Sequence, residues 1–257
     1  MQLIDSHCHL DAPEFDADRA AVIARAREAG VIAQVIPAVG AASWPALKQA
    51  CTLAQGLHAA YGLHPMYLAR HRPRHLDELR TWIEREQPVA VGECGLDFFV
   101  DGLDVEGQRF YFDAQLRLAR DFDLPVIVHA RRSVDAVIAS IRRLGVKHGV
   151  VHSFSGSPEQ AAQLFKLGFM IGLGGPVTYA RAQRLHRLAA AVPVEQLLLE
   201  TDAPDQPDSG IRGQRNEPAR LPVICDTIAR LRGMPAEALA AQTRHNAERL
   251  FRLPASA

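Results

Sequence analysis

Residues 1–10 read Met1-Gln2-Leu3-Ile4-Asp5-Ser6-His7-Cys8-His9-Leu10, a short apolar run that gives way to two histidines two positions apart. Alternate residues of an extended strand share a face, so this spacing predicts both imidazoles on one side of a first strand and Cys8 on the other. With this first run at 2–6, further runs rich in Val, Ile and Leu follow at 34–39, 58–62, 89–93, 126–129, 149–152, 169–173 and 196–201. Stretches of helical period separate them, the alternation that yields a parallel sheet with crossover helices. Local punctuation agrees. Ser157-Pro158 places an N-cap before an N1 proline, and Gly30, Gly145 and Gly168 stand where helices would end.

Eight such runs without an internal repeat, and without GxGxxG in the first turns, predict an α/β fold closed into a (β/α)8 TIM-type barrel rather than an open doubly wound sheet. A chain of 257 residues with 48% hydrophobic content suits one barrel domain over 1–257. Residues 201–217, rich in Pro, Gly and Asp, form a long connection expected to make part of a functional rim.

The chemistry-bearing residues stand where apolar runs end. Glu93 closes the fourth run, His129 the fifth and His152 the sixth, while Asp202 follows the eighth. In a barrel those ends converge on one rim, and burying six ionisable groups of this kind together without a cation would be costly. His7, His9, Glu93, His129, His152 and Asp202 are therefore expected metal ligands. Their number implies two divalent ions, of Mg, Mn, Zn, Co or Ni type, with Glu93 able to bridge. A bridging lysine is the alternative, but Lys48, Lys147 and Lys166 all stand away from expected strand ends. Glu93 and Asp202 are the expected catalytic carboxylates, Asp202 orienting or deprotonating water. His64, in Gly62-Leu63-His64-Pro65, either contacts substrate or caps a turn. Arg131 shares the face of His129 and is expected to grip a phosphate, the competing reading being a salt bridge to Asp97 or Asp202. Phe98-Phe99 either stacks a base or packs.

Charge is balanced, with 29 Lys and Arg against 29 Asp and Glu, so no broad field attracts a polyanion or a membrane. Four scattered cysteines without CxxC exclude a thiolate zinc site and a disulfide scaffold, and suit a reducing, cytoplasmic setting. No window is long and apolar enough to cross a bilayer, and no secretory leader is expected.

Read together, the motifs Asp5-Ser6-His7-Cys8-His9, Gly62-Leu63-His64-Pro65, Gly92-Glu93-Cys94-Gly95-Leu96-Asp97, His129-Ala130-Arg131, His152-Ser153-Phe154-Ser155-Gly156, Glu200-Thr201-Asp202-Ala203-Pro204 and Arg215-Asn216-Glu217-Pro218 resemble the TatD family of metal-dependent hydrolases, the TatD-like deoxyribonucleases. The resemblance implies that His7, His9 and Asp202 hold one ion, His129 and His152 the other, with Glu93 between them. It further implies phosphodiester hydrolysis on DNA, including 3′ to 5′ exonuclease activity. A site recessed at the mouth of a barrel is expected to admit strand ends or single strands more readily than a duplex interior, and a monomer is a workable state. Where the family often carries tyrosine after Gly-Leu-Asp, this chain has Phe98-Phe99, and Asp205-Gln206 replaces an aromatic after Thr-Asp-Ala-Pro. Two other readings stay open. One is a two-metal hydrolase of carbonyl esters or amides, aminoacyl-tRNA deacylation included; the other is a metal-dependent nucleic-acid-binding module without turnover.

Overall fold

Every apolar run forms a strand in the computed structural model, which describes residues 1–254. The strands are β1 (Leu3–Asp5), β2 (Val31–Pro37), β3 (Leu57–Tyr61), β4 (Ala90–Asp97), β5 (Val126–Arg131), β6 (Gly149–Val151), β7 (Phe169–Leu173) and β8 (Leu197–Leu199). They lie side by side in chain order, each parallel to the next. The two edges meet: the Ser6 amide donates to the Leu199 carbonyl at 3.0 Å and the Asp202 amide to the His7 carbonyl at 2.9 Å. The sheet is thereby wrapped into the expected (β/α)8 barrel.

Between the strands run α1 (Arg19–Glu28), α2 (Trp44–Cys51), α3 (Arg74–Glu86), α4 (Val105–Asp121), α5 (Val134–Leu144), α6 (Pro158–Lys166), α7 (Gln183–Ala191) and α8 (Leu221–Arg232), and α9 (Ala236–Phe251) ends the series. Ser157 caps α6 through a full capping box with Gln160, and Gly145 ends α5 in the left-handed conformation. Ile4, Val35, Ala60, Ala90, Ile127, Val150, Met170 and Leu198 form one buried apolar cluster inside the barrel, joined by Ala247, Leu250 and Phe251 of α9. A second cluster fills the layer between strands and outer helices, with Phe15, Trp44, Phe112 and Phe169 among its members. The floor beneath the polar ends is thus solid rather than a pore. No helix among the described residues is long and apolar enough to cross a membrane.

Expected boundaries shift in several strands; β5 runs on past His129 to Arg131 and β8 stops at Leu199, and three further shifts bear on the site. Strand β1 stops at Asp5, so His7 and His9 lie in the segment after it rather than on the strand. Strand β2 begins at Val31, because the Val31-Ile32-Ala33 stretch continues the apolar run directly from Gly30. Strand β4 does not end at Glu93: after an irregularity between Val91 and Cys94 the ladder resumes, pairing Gly95 with His129 and Asp97 with Arg131. A Cβ at Gly95, where φ is +147°, would stand 2.0 Å from the His129 carbonyl oxygen, so glycine lets β4 close on β5.

Candidate metal centre

At the carboxyl ends of the strands the chain folds six ionisable side chains around Glu93, itself only 1% exposed. One carboxylate oxygen, Oε1, lies 2.8 Å from His152 Nε2, 3.1 Å from His129 Nδ1 and 2.9 Å from His64 Nε2. The other, Oε2, lies 3.3 Å from His7 Nε2 and 3.4 Å from His9 Nε2. Asp202 Oδ1 completes the set at 3.4 Å from His7 and 3.6 Å from His9. The rings of His7 and His152 stack in parallel, their centroids 3.9 Å apart.

The far nitrogens of these rings decide which atoms carry protons. His9 Nδ1 faces the Pro37 carbonyl at 3.2 Å and His129 Nε2 faces Asp97 Oδ2 at 2.9 Å. His152 Nδ1 points toward Glu200 Oε1 at 3.7 Å. The Pro37 and Asp97 oxygens accept, which places a proton on the far nitrogens of His9 and His129, so that each ring when neutral offers a lone pair to the centre. Two such neutral rings set against carboxylate oxygens are acceptors facing acceptors, an arrangement that a cation between them, proton or metal, satisfies. Glu93 Oε2 is buried without a hydrogen-bond partner among the described residues, which agrees with this; the far nitrogens of His7 and His152 are likewise unpartnered. The donor set therefore fits divalent metal. Three groupings have their ligand atoms close enough for an ion: His7 with His9 and Asp202, His7 with Glu93 and His152, and His64 with Glu93 and His129.

His64 differs from the rest. Its Nδ1 accepts from the Met66 amide at 3.1 Å, which caps the short 3-10 turn Pro65–Arg70 and leaves the proton on Nε2. His64 caps a turn, as one of its two readings expects, and its remaining N–H faces Glu93 Oε1 at 2.9 Å. A ring with its proton inward is a donor rather than a metal ligand, which argues against the grouping that contains it.

The electrostatics run the same way. Burial alone would raise the Glu93 carboxyl, but the surrounding His64, His152 and His7 hold it well below the ordinary range. Burial pulls the imidazoliums of His9, His129 and His152 down, but Glu93 with its neighbouring carboxylates overcomes this. All three are raised, His9 to about 9. Burial lowers His7 well below normal and His64 to about 4, leaving both neutral. Burial also pushes the Asp202 carboxyl up to about 6, against the pull of His152 and His9. The centre attracts positive charge.

Several supporting residues escape a reading by sequence. Asp97 grips His129 with one oxygen while the other accepts from the Phe99 and Val100 amides at 2.9 and 3.1 Å. Glu200 accepts from the Ser153 amide and backs His152, and Gly172 makes room for it, since a Cβ there would meet Glu200 Oε2 at 2.0 Å. Asp5 accepts from the Thr201 amide at 3.0 Å and the His7 amide at 3.3 Å. Gln206 donates to Asp202 Oδ2 and accepts from Ser153 Oγ at 2.8 Å. The 201–217 segment that carries it is pinned by Asn216, whose side-chain amide donates to the Thr201 and Asp205 carbonyls at 2.9 and 2.8 Å.

Above the cluster opens a cavity of about 890 Å³. Its walls include His64, Tyr67, Arg131, Ser153, Pro204 and Gln206, so the 201–217 segment does contribute to the rim. Arg131 lines this cavity but makes neither of the salt bridges weighed for it. Asp97 is taken by His129, and the Arg131 guanidinium lies over the exposed Phe99 ring, 3.6 Å from its centroid.

Comparison with known proteins agrees with this centre. A family profile described as TatD related DNase matches residues 4–252. An uncharacterized metal-dependent hydrolase of Escherichia coli K12, YjjV, is 41% identical over 98% of this chain and 99% of its own. The crystal structure of YjjV superposes with a TM-score of 0.95, covering 98% of each chain. A protein of Pantoea sp. named 3′-5′ ssDNA/RNA exonuclease TatD is 38% identical over 98% of this chain and all of its own.

Proposed function

Because the chain belongs to the family of TatD related DNases, we propose that it hydrolyses phosphodiester bonds at nucleic-acid ends, using two divalent ions held by its own histidines and carboxylates. The carrying observation is the convergence of four imidazoles on the two oxygens of the buried Glu93, with Asp202 beside His7, beneath an open cavity. His7, His9 and Asp202 would hold one ion and His129 and His152 the other, with Glu93, one oxygen toward each histidine group, serving both. When bound, such ions supply a water acidic enough to ionise near neutral pH and positive charge against the phosphoryl oxygens.

The chain's own groups do the rest. Asp202, its carboxyl pushed up to about 6 and its Oδ2 held by Gln206, is placed to accept a proton from the attacking water. His64, neutral with its proton on Nε2, donates to Glu93 Oε1 at 2.9 Å and so orients the central carboxylate. Arg131 offers its guanidinium from the cavity wall to the substrate phosphate. Asp97 and Glu200 keep the rings of His129 and His152 turned inward. The four free thiols suit a reducing, cytoplasmic location.

The centre lies at the bottom of a recess, with His7 fully buried and Asp202 8% exposed, which favours a strand end over a duplex interior. Metal-reconstituted protein is expected to hydrolyse bis-p-nitrophenyl phosphate and short linear single strands much faster than closed circular duplex. Activity on carboxylic esters or amides with none on the phosphodiester would sink this reading, and equal cleavage of circles and linear strands would remove the preference for ends.

A further inference from the structure

A second cavity of about 580 Å³ adjoins the first, and Ser155 lines both. Phe98, Arg132, Ser133, Gln160 and Arg184 form much of its wall, and its size is within the range that holds a nucleotide-sized ligand. Arg131 lines the first cavity and Arg132 the second, and the two guanidinium groups meet over one ring, 3.6 and 4.6 Å from the centroid of Phe99. Arg132 has φ of +55°, a left-handed backbone that residues other than glycine seldom adopt. That turn breaks strand alternation and lets consecutive arginines reach the same ring.

The charge here is unspent. Arg143, Arg215 and Arg220 each pair with a carboxylate, whereas Arg131, Arg132 and Arg184 form no ion pair among the described residues. Arg184 donates to the Ser155 carbonyl, and the acidic group of the second cavity, Asp135, accepts from Gln160 at 2.8 Å. An exposed phenyl ring flanked by unpaired guanidinium groups is the combination that tracks a single strand, the cations meeting phosphates and flat groups stacking on bases.

Resting on the phosphodiesterase reading above, we propose that the second cavity is a subsite for the nucleotide next to the scissile bond, and that the strand crosses into it over the Arg131–Phe99–Arg132 stack. A nucleotide seated there cannot be base-paired, so the subsite selects single-stranded ends and rewards substrates longer than one nucleotide. Phe99 acts as the support that holds two cations at the crossing, a task that needs no hydroxyl.

The test uses the full chain and the double variant Arg132→Asn/Arg184→Gln. Asparagine tolerates the left-handed backbone, so the cation is removed without added strain. Binding of a fluorescein-labelled short oligothymidylate is followed by anisotropy in chelator, where no cleavage occurs, across a salt series. The expected result is a Kd raised about tenfold. The slope of log Kd against log salt should become shallower by roughly 0.7 for each phosphate that is no longer neutralised, a change that a merely structural arginine would not produce. In a parallel arm with added manganese, the ratio of kcat/KM for the oligonucleotide to that for bis-p-nitrophenyl phosphate should fall about tenfold. An unchanged Kd and salt slope in a variant with unchanged Tm overturns the subsite. If the double variant melts early, Arg184→Gln alone carries the binding test. Failure of the wild-type chain to hydrolyse bis-p-nitrophenyl phosphate overturns the parent reading instead, and the binding arm still decides the subsite.

Discussion

Glu93 is the residue on which the centre turns, because its two oxygens face two different groups of histidines. Replacing one charged oxygen by an amide, in Glu93→Gln, keeps the shape and removes the charge between those groups. Both proposed ions should therefore weaken together, read as loss of bound manganese by elemental analysis after dialysis; retention of a full complement would reassign Glu93. The residues that gather around Glu93 were legible in sequence because side chains of metal-binding type stand where apolar runs end. Their supports were not. Asp97 serves His129 through a β4–β5 register, and Gln206 serves Asp202 and Ser153 through the fold of a long loop. Neither relation has a spacing to read. His64 shows the limit most clearly, since its two roles belong to its two nitrogens and only the partners of each tell them apart.

At the level of elements, the barrel was legible and several of its edges were not. Periodicity locates β4, but the glycines that flank Glu93 weaken the strand signal, and the ladder to β5 is what carries the strand on to Asp97. That extension has a consequence for stability. A Cβ at Gly95 would stand 2.0 Å from the His129 carbonyl oxygen at φ +147°, and the obstacle is backbone that cannot swing aside. Gly95→Ala should cost about 2 kcal/mol or more. For a chain of this size that is a Tm loss of roughly 4–8 °C in a thermal melt. A Tm within a degree of the wild type would show that β4 and β5 do not approach so closely. The segment carrying His7 and His9 teaches the converse. Strand alternation predicts their convergence, and their Nε2 atoms do lie 3.2 Å apart, yet β1 has ended by Asp5. What aims them is backbone pairing on both sides of the segment: the Cys8 amide donates to the Val35 carbonyl of β2 at 3.1 Å, and the His9 amide to the Ala203 carbonyl, beyond β8, at 2.7 Å.

On the scale of the whole molecule, folding brings a net-neutral chain to a local centre that attracts cations, so proton and metal compete for the same nitrogens. With carboxylates raising His9 to about 9 and raising His129 and His152 as well, these rings hold protons more tightly than a free imidazole, and those protons must leave before an ion binds. The sign follows: manganese affinity should fall as pH falls below about 9, by up to about tenfold per pH unit for each proton displaced. Calorimetric titrations in buffers of different ionisation enthalpy would read the released protons directly, and affinity independent of pH between mildly acid and mildly alkaline solution would contradict it. The most direct measurement joins metal to chemistry: chelator-stripped protein is titrated with manganese while hydrolysis of bis-p-nitrophenyl phosphate is followed. The predicted result is a rate that climbs to a plateau at two equivalents of metal per chain. A plateau at one equivalent, or no hydrolysis at any ratio, would contradict a two-ion phosphodiesterase.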